Sequence, residues 1–278
     1  MTNKEKIEII NSIQIVVTYI SDERLSWIKK QIEDLNILID VYYFKGFTPA
    51  DSKGYILEKH PDFGYAEIDG QICCTRSFAG AIKWFVDNCP EKKYLITLED
   101  DSCFIKNGFI NNIINTIESY KKVEDNVDYV SLGYLPFDIN IISNFPNIDN
   151  LYYDIWKGTT VRNAIPHKVN ESLIWGNQMT LFSKKSAEEV SDILHQENTD
   201  LVRYKIKERM EKGFVYSNRA SVLITDHCTP SIFRQSIVYP PMAIEGDFYT
   251  LMGQDNNNLK LESHNWSKYI DISNYSIN

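Results

Sequence analysis

Tyr94 to Phe104 reads YLITLEDDSCF. Residues suited to a buried strand run directly into three adjacent carboxylates, Glu99, Asp100 and Asp101. Three neighbouring negative charges repel one another and need water or a cation. Side chains alternate along an extended chain, so Glu99 and Asp101 are expected on one side and Asp100 on the other. Two carboxylates on one side make a hard oxygen site for Mn²⁺ or Mg²⁺. Such a cation would also grip a diphosphate. The plain alternative is that the acids cap or solvate the end of a strand, and their place in the fold decides between the two.

The elements around them read as an alternation. Ile13 to Ile20 (IQIVVTYI) is a β-branched strand. Ser21 caps the helix that follows, where Leu25, Ile28, Ile32 and Leu35 recur at helical spacing. ILIDVYYF is a second strand. A loop with Gly46, Pro49, Gly54, Pro61 and Gly64 then leads to a helix expected near Thr75 to Asn88, with Phe78, Ile82, Phe85 and Val86 as its buried stripe. After YLITL comes a helix with Phe109, Ile113 and Ile117 on one face, then the strand VDYVSLGY. Strand and helix in turn predict an α/β fold, Rossmann-like, with a mostly parallel central sheet and helices on both faces. Continuous apolar strands agree with a sheet covered on both faces. Ligands of such sheets sit outside the carboxyl ends of the strands, which is where the acids fall. Arg76 and Ser77 are expected to open the third helix, and a helix N-terminus with a cation suits phosphate. An ordinary capped helix start explains the same residues.

With 278 residues, 43% hydrophobic and 24% charged, the chain can bury a substantial core. A net charge of −9 disfavours non-specific binding to nucleic acid or anionic membrane. The N-terminus MTNKEKIEII is charged, and the apolar run after it is too short to span a membrane. The expectation is a cytoplasmic protein of bacterial or viral type, with no signal peptide and no transmembrane segment. Cys73, Cys74, Cys89, Cys103 and Cys228 show no CxxC spacing and read as reduced, mostly buried thiols. Residues 1–278 read as one domain. The tail 247–278, rich in Asn, Asp and Ser, reads as irregular, a lid that orders over bound donor or a segment packed permanently on the sheet.

LEDD after a buried strand resembles the metal motif of nucleotide-sugar glycosyltransferases of the GT-A fold, a DxD-like EDD motif. Within these the chain is similar to the family of bacterial lipooligosaccharide and procollagen galactosyltransferases, glycosyltransferase family 25. VVTYISDERLSWIKKQIEDL resembles the family's first strand and helix, with Arg24 near a characteristic arginine. GQICCTRSFAGAIKW resembles a Gly-x-Ile-x-Cys-x-x-Ser-His segment, matched at Gly70, Ile72, Cys74, Ser77 and Trp84. DYVSLG, GNQMTLFSKKSAEEV and VYPP follow in the family's order, so the likeness covers roughly residues 13 to 245. One departure stands out: the family's His after the serine is Phe78 here.

The resemblance implies a metal-dependent hexosyltransferase in glycan biosynthesis, moving galactose or glucose from a UDP-sugar to a hydroxyl acceptor with inversion. The acceptor would be a glycan, a lipid-linked sugar or a protein. Asp101 with Glu99 would hold Mn²⁺ or Mg²⁺ against the two phosphates. Asp100 would touch the ribose or the donor sugar. Thr18 and Tyr19, with Arg24 nearby, would hold base and ribose, though a plain loop explains them equally. Inversion needs a base, and the resemblance places an aspartate where the chain has Asp200, with Asp226 and Glu245 as rivals. A late histidine often completes the metal site; His264, with Lys268 close by, is the first candidate and His227 the second. Trp175, Asn177 and Gln178 precede a strand and would form an acceptor wall. Other classes stay open: a nucleotide-sugar-binding protein that has lost catalysis, which Phe78 allows, or a nucleotidyltransferase, which can also set paired acids beside a parallel sheet.

Overall fold

The computed structural model describes residues 1–48, 69–122, 124–125, 127–134, 176–194, 208, 233, 235–238, 241–246 and 271–276. In chain order the elements are α1 (Asn3–Asn11), β1 (Ile13–Tyr19), α2 (Asp22–Asp34), β2 (Asp40–Lys45), α3 (Asp69–Asn88), β3 (Tyr94–Glu99), β4 (Ser102–Phe104), α4 (Phe109–Tyr120), β5 (Tyr129–Gly133), β6 (Met179–Ser183), α5 (Lys184–Leu194), β7 (Gln235–Ile237) and β8 (Ala243–Glu245), with a 3₁₀ turn at Ile272–Asn274. The strands form one sheet in the order β2-β1-β3-β6-β5-β8-β4, with β7 beside β5. β1 runs parallel to β2 and β3, and β5 parallel to β7 and β8. β6 is antiparallel to both β3 and β5, and β4 is antiparallel to β8. The fold is mixed α/β with a mostly parallel sheet. The reversed central strand β6 was not expected. Its sequence, MTLFS, is as apolar as a parallel strand, and an apolar run carries no direction.

Alternation along each strand feeds two cores. Ile15, Val17, Ile96, Leu98, Leu181 and Val130 pack with Ile9, Ile28, Ile32, Ile113 and Ile117 from α1, α2 and α4. Val16, Leu95, Phe182 and Tyr129 pack with Phe78, Ile82, Phe85, Val190 and Ile193 from α3 and α5. Helices therefore cover both faces, as predicted. Ser21 caps α2, its Oγ accepting from the Arg24 N–H at 3.2 Å. Cys73, Cys89 and Cys103 are buried free thiols and Cys74 is partly buried.

Two expectations need correction. The third helix begins at Asp69, not near Thr75. No glycine or proline from Gln71 to Thr75 sets a boundary, and the buried stripe extends back to Cys73 and Thr75. Arg76 and Ser77 thus lie inside the helix, and the Ser77 hydroxyl donates to the Cys73 carbonyl at 2.6 Å. Phe78 is core, as expected of the buried stripe, 6.1 Å centroid to centroid from Phe182. The end of the tail packs on the core. Tyr275 bridges Ile105 in antiparallel fashion, is buried, and donates its hydroxyl to the Pro241 carbonyl. Ser276 N–H donates to Phe104 O at 2.9 Å, and its Oγ accepts from Phe104 N–H at 3.0 Å. Of the tail, 247–270 and 277–278 lie outside the described residues. Among the described residues no helix is long and apolar enough to cross a membrane.

Candidate functional site

From β1 the chain moves outward to β2, then crosses back to β3 on the other side of β1. The strand order therefore reverses between β1 and β3, and α2 and α3 leave on opposite faces. A crevice at such a switch point, beyond the carboxyl ends, is where open α/β sheets bind ligands. Glu99, Asp100 and Asp101 stand on the β3 side of it. Thr18, Tyr19 and the start of α2 stand on the β1 side, with Thr18 paired to Glu99 across the ladder.

The strand geometry ends at Glu99, and Asp100 and Asp101 form a turn into β4. Extended alternation therefore fails past Glu99: Asp100 and Asp101 both meet Arg24. The Arg24 Nη1 lies 2.7 Å from Asp100 Oδ1 and 3.3 Å from Asp101 Oδ2. Asp100 Oδ2 accepts the Ile20 N–H at 2.9 Å. Both oxygens of Asp100 are thus engaged within the protein, and it ties the end of β1 to the end of β3. Asp101 differs. Its Oδ1 is buried and has no hydrogen-bond partner.

Electrostatics follow from this packing. Burial works against the charge on Arg24, but Asp101 and Asp100 beside it hold its pKa above the ordinary value. Burial pushes the Asp101 carboxyl up to about 6; Arg24 pulls the other way and the charge of Asp100 adds to the rise. A carboxylate held at this cost, with one oxygen open, suits a cation.

The neighbouring elements complete the turn. Glu99 N–H and Ser102 Oγ both donate to the Gln178 carbonyl, at 3.1 and 2.8 Å. Gly246 N–H donates to Asp101 O at 2.7 Å, and Glu245 pairs with Ser102 in the β4–β8 ladder. Glu245, a rival for the base, therefore lies beside the acid turn. Gln178 and Asn177 are buried, and the Gln178 Oε1 has no hydrogen-bond partner. On the far side of β1, Tyr19 O accepts from Gly46 N–H at 2.7 Å and Ser77 Oγ accepts from Phe47 N–H at 2.8 Å. Ser77 is thus committed to the β2–α3 junction. Asp200, Asp226, His227, His264, Lys268 and Trp175 lie outside the described residues. The Ile20 N–H and the Gln178 carbonyl went unseen in the sequence, because backbone groups leave no residue signature.

Among the described residues no group of three or more His, Cys, Asp or Glu is placed to hold a metal ion. The local donor set is smaller: the unpartnered Asp101 Oδ1, with Glu99 at the strand end. That fits a cation held by one or two carboxylates and completed by phosphate and water oxygens.

No family model matches the chain, and no curated protein matches it. A solved structure matches the chain at low similarity. That protein is a glycosyltransferase involved in the glycosylation of the major capsid of PBCV-1. The identity is 10% and the TM-score 0.41, over 92% of this chain and 98% of the other.

Proposed function

We propose that the chain is a metal-dependent glycosyltransferase of GT-A type that moves a hexose from a UDP-sugar to a hydroxyl acceptor. One observation carries this reading: Asp101, at the switch point of the sheet, keeps one buried carboxylate oxygen open while Arg24 holds the other. Galactose or glucose as the donor sugar, and inversion, come from the sequence resemblance. Glu99 and Asp101 would hold Mn²⁺ or Mg²⁺, which supplies Lewis-acid stabilisation of the leaving diphosphate. Arg24 and the Ile20 N–H keep Asp100 fixed, so the turn is set before ligand arrives. Thr18 and Tyr19 border the space for the nucleotide. A carboxylate takes the acceptor proton. Asp200 is the candidate from the resemblance, and Glu245 is its rival beside the turn. The acceptor is a glycan, a lipid-linked sugar or a protein.

The test is a screen of nucleotide sugars with Mn²⁺, following release of UDP. Wild-type turnover of UDP-galactose or UDP-glucose is expected. Asp200→Asn should lose transfer with donor affinity nearly unchanged; near-normal turnover passes the role to Glu245, tested as Glu245→Gln. Donor binding without turnover would favour a nucleotide-sugar-binding protein, and no response to any UDP-sugar would overturn the proposal.

A further inference from the structure

Helix α2 is pinned at two points to one short stretch of chain. Arg24 and Gln31 lie about two helical turns apart, so they share a face of α2 and stand about 10.5 Å apart along its axis. Both are buried. The first point is direct: Arg24 Nη1 meets Asp100 and Asp101 at 2.7 and 3.3 Å. The second runs through residues 274–276. Gln31 Nε2 donates to the Ser276 carbonyl at 3.1 Å. Ser276 N–H donates to Phe104 O at 2.9 Å, and Phe104 N–H donates to Ser276 Oγ at 3.0 Å. Lys106 N–H donates to Asn274 O at 2.8 Å and extends the same seam. Phe104 ends β4, and β4 starts at Ser102, the residue after Asp101.

These contacts close a ring: Arg24, the acid turn, β4, Ser276, Gln31 and back along α2. A helix held only at Arg24 could pivot about that contact, and a second point two turns on removes the pivot. The inner edge of β4 is already paired with β8. The seam with 274–276 therefore serves the outer edge of β4 and α2. Asp101 is the contact that a pivot loses first. Its 3.3 Å to Arg24 is long for a charge-assisted bond, against 2.7 Å for Asp100. Asp100 is also held by the Ile20 N–H. The grip of Arg24 on Asp101 Oδ2 orients the carboxylate whose Oδ1 has no hydrogen-bond partner.

We propose that Gln31 and Ser276 are positioning residues for the cation site: they lock α2 against β4, so that Arg24 presents Asp101 to a divalent cation. The inference rests on the metal reading of Asp101 and adds what keeps that carboxylate aligned. Gln31→Glu is isosteric and replaces the donor with an acceptor. Ser276→Ala removes the hydroxyl, and Ser276→Thr keeps it. UDP is titrated into wild type and each variant, with Mn²⁺ and with chelator, at a temperature where all are folded. Gln31→Glu and Ser276→Ala are each expected to lose roughly 3- to 10-fold of the affinity gained from Mn²⁺, the effect of one hydrogen bond. Affinity in chelator is expected to stay as in wild type, and Ser276→Thr to recover the gain. A full Mn²⁺ gain in folded Gln31→Glu and Ser276→Ala overturns the proposal, since a role in stability alone would leave that gain intact. A second arm needs no metal. In a double-mutant cycle of Gln31→Glu with Arg24→Met, followed by urea unfolding, the two losses are expected to be less than additive, because without Arg24 the lock has nothing to align. Additive losses overturn the lock. If Arg24→Met fails to fold, Arg24→Lys replaces it in the cycle. If wild type gains nothing from Mn²⁺, the metal reading fails and the cycle decides the lock on its own.

Discussion

Arg24 and the two aspartates form a buried group in which each charge depends on the others. The Arg24 side chain is 11% exposed, that of Asp100 6% and that of Asp101 13%. Removing one partner leaves a charge without compensation, which costs about 3–5 kcal/mol. Arg24→Met is therefore expected to destabilise by that order in urea unfolding. Arg24→Lys should recover part of the loss, because an ammonium is a single point charge and fits two carboxylates less well. Asp101 adds a pH dependence with a definite sign. Its folded pKa of about 6 lies above the ordinary 3.8, so the folded state binds that proton more tightly than the unfolded state. Its contribution to stability is greatest below pH 3.8 and falls as pH rises through about 6, by up to roughly 3 kcal/mol. Asp101→Asn does not titrate there. In metal-free protein the stability of wild type relative to Asp101→Asn should decline between pH 4 and 6, measured by urea unfolding. A difference that is flat or rises across that window would contradict the burial of Asp101.

At the scale of elements, the site depends on close strand junctions. A Cβ at Gly133 would come within 2.8 Å of the Ala243 carbonyl and 2.9 Å of the Ala243 Cβ. These are backbone-anchored atoms that cannot swing aside. Gly133→Ala is expected to force β5 and β8 apart and cost about 1–3 kcal/mol, as overpacking does. Because β8 leads into the Gly246–Asp101 contact, the same change should weaken Mn²⁺-dependent UDP binding. Equal stability and binding in the variant would show that β8 does not brace the acid turn. Much at this scale was legible in the sequence. Ser21 announced the α2 cap, the spacing of Phe109, Ile113 and Ile117 gave α4, and YLITL gave the strand that delivers the acids. The start of α3 was misplaced because Cys73 and Thr75 continue the helix without a breaker. β4, β7 and β8, at three residues each, are too short for a periodic signal. The grip of Arg24 on the acids links residues 76 positions apart, and nothing local in either segment encodes it.

At the scale of the whole molecule, the end of the chain is part of the core. Tyr275 is 2% exposed and sits between β4 and the segment before β8. Tyr275→Ala should cost about 3–5 kcal/mol, like other large-to-small aromatic changes in a core. Hydrogen exchange should find the Ser276 and Phe104 amides protected with or without UDP, and protection only on ligand binding would return that segment to a closing element. The central proposal is that Asp101, where the strand order reverses between β1 and β3, would anchor a divalent cation that binds a nucleoside diphosphate. The most direct measurement is calorimetric titration of UDP into wild type and Asp101→Ala, each with Mn²⁺ and with chelator. The account predicts that Mn²⁺ strengthens UDP binding to wild type and that Asp101→Ala loses most of this gain while staying folded. Full Mn²⁺ dependence in the folded Asp101→Ala protein would contradict it.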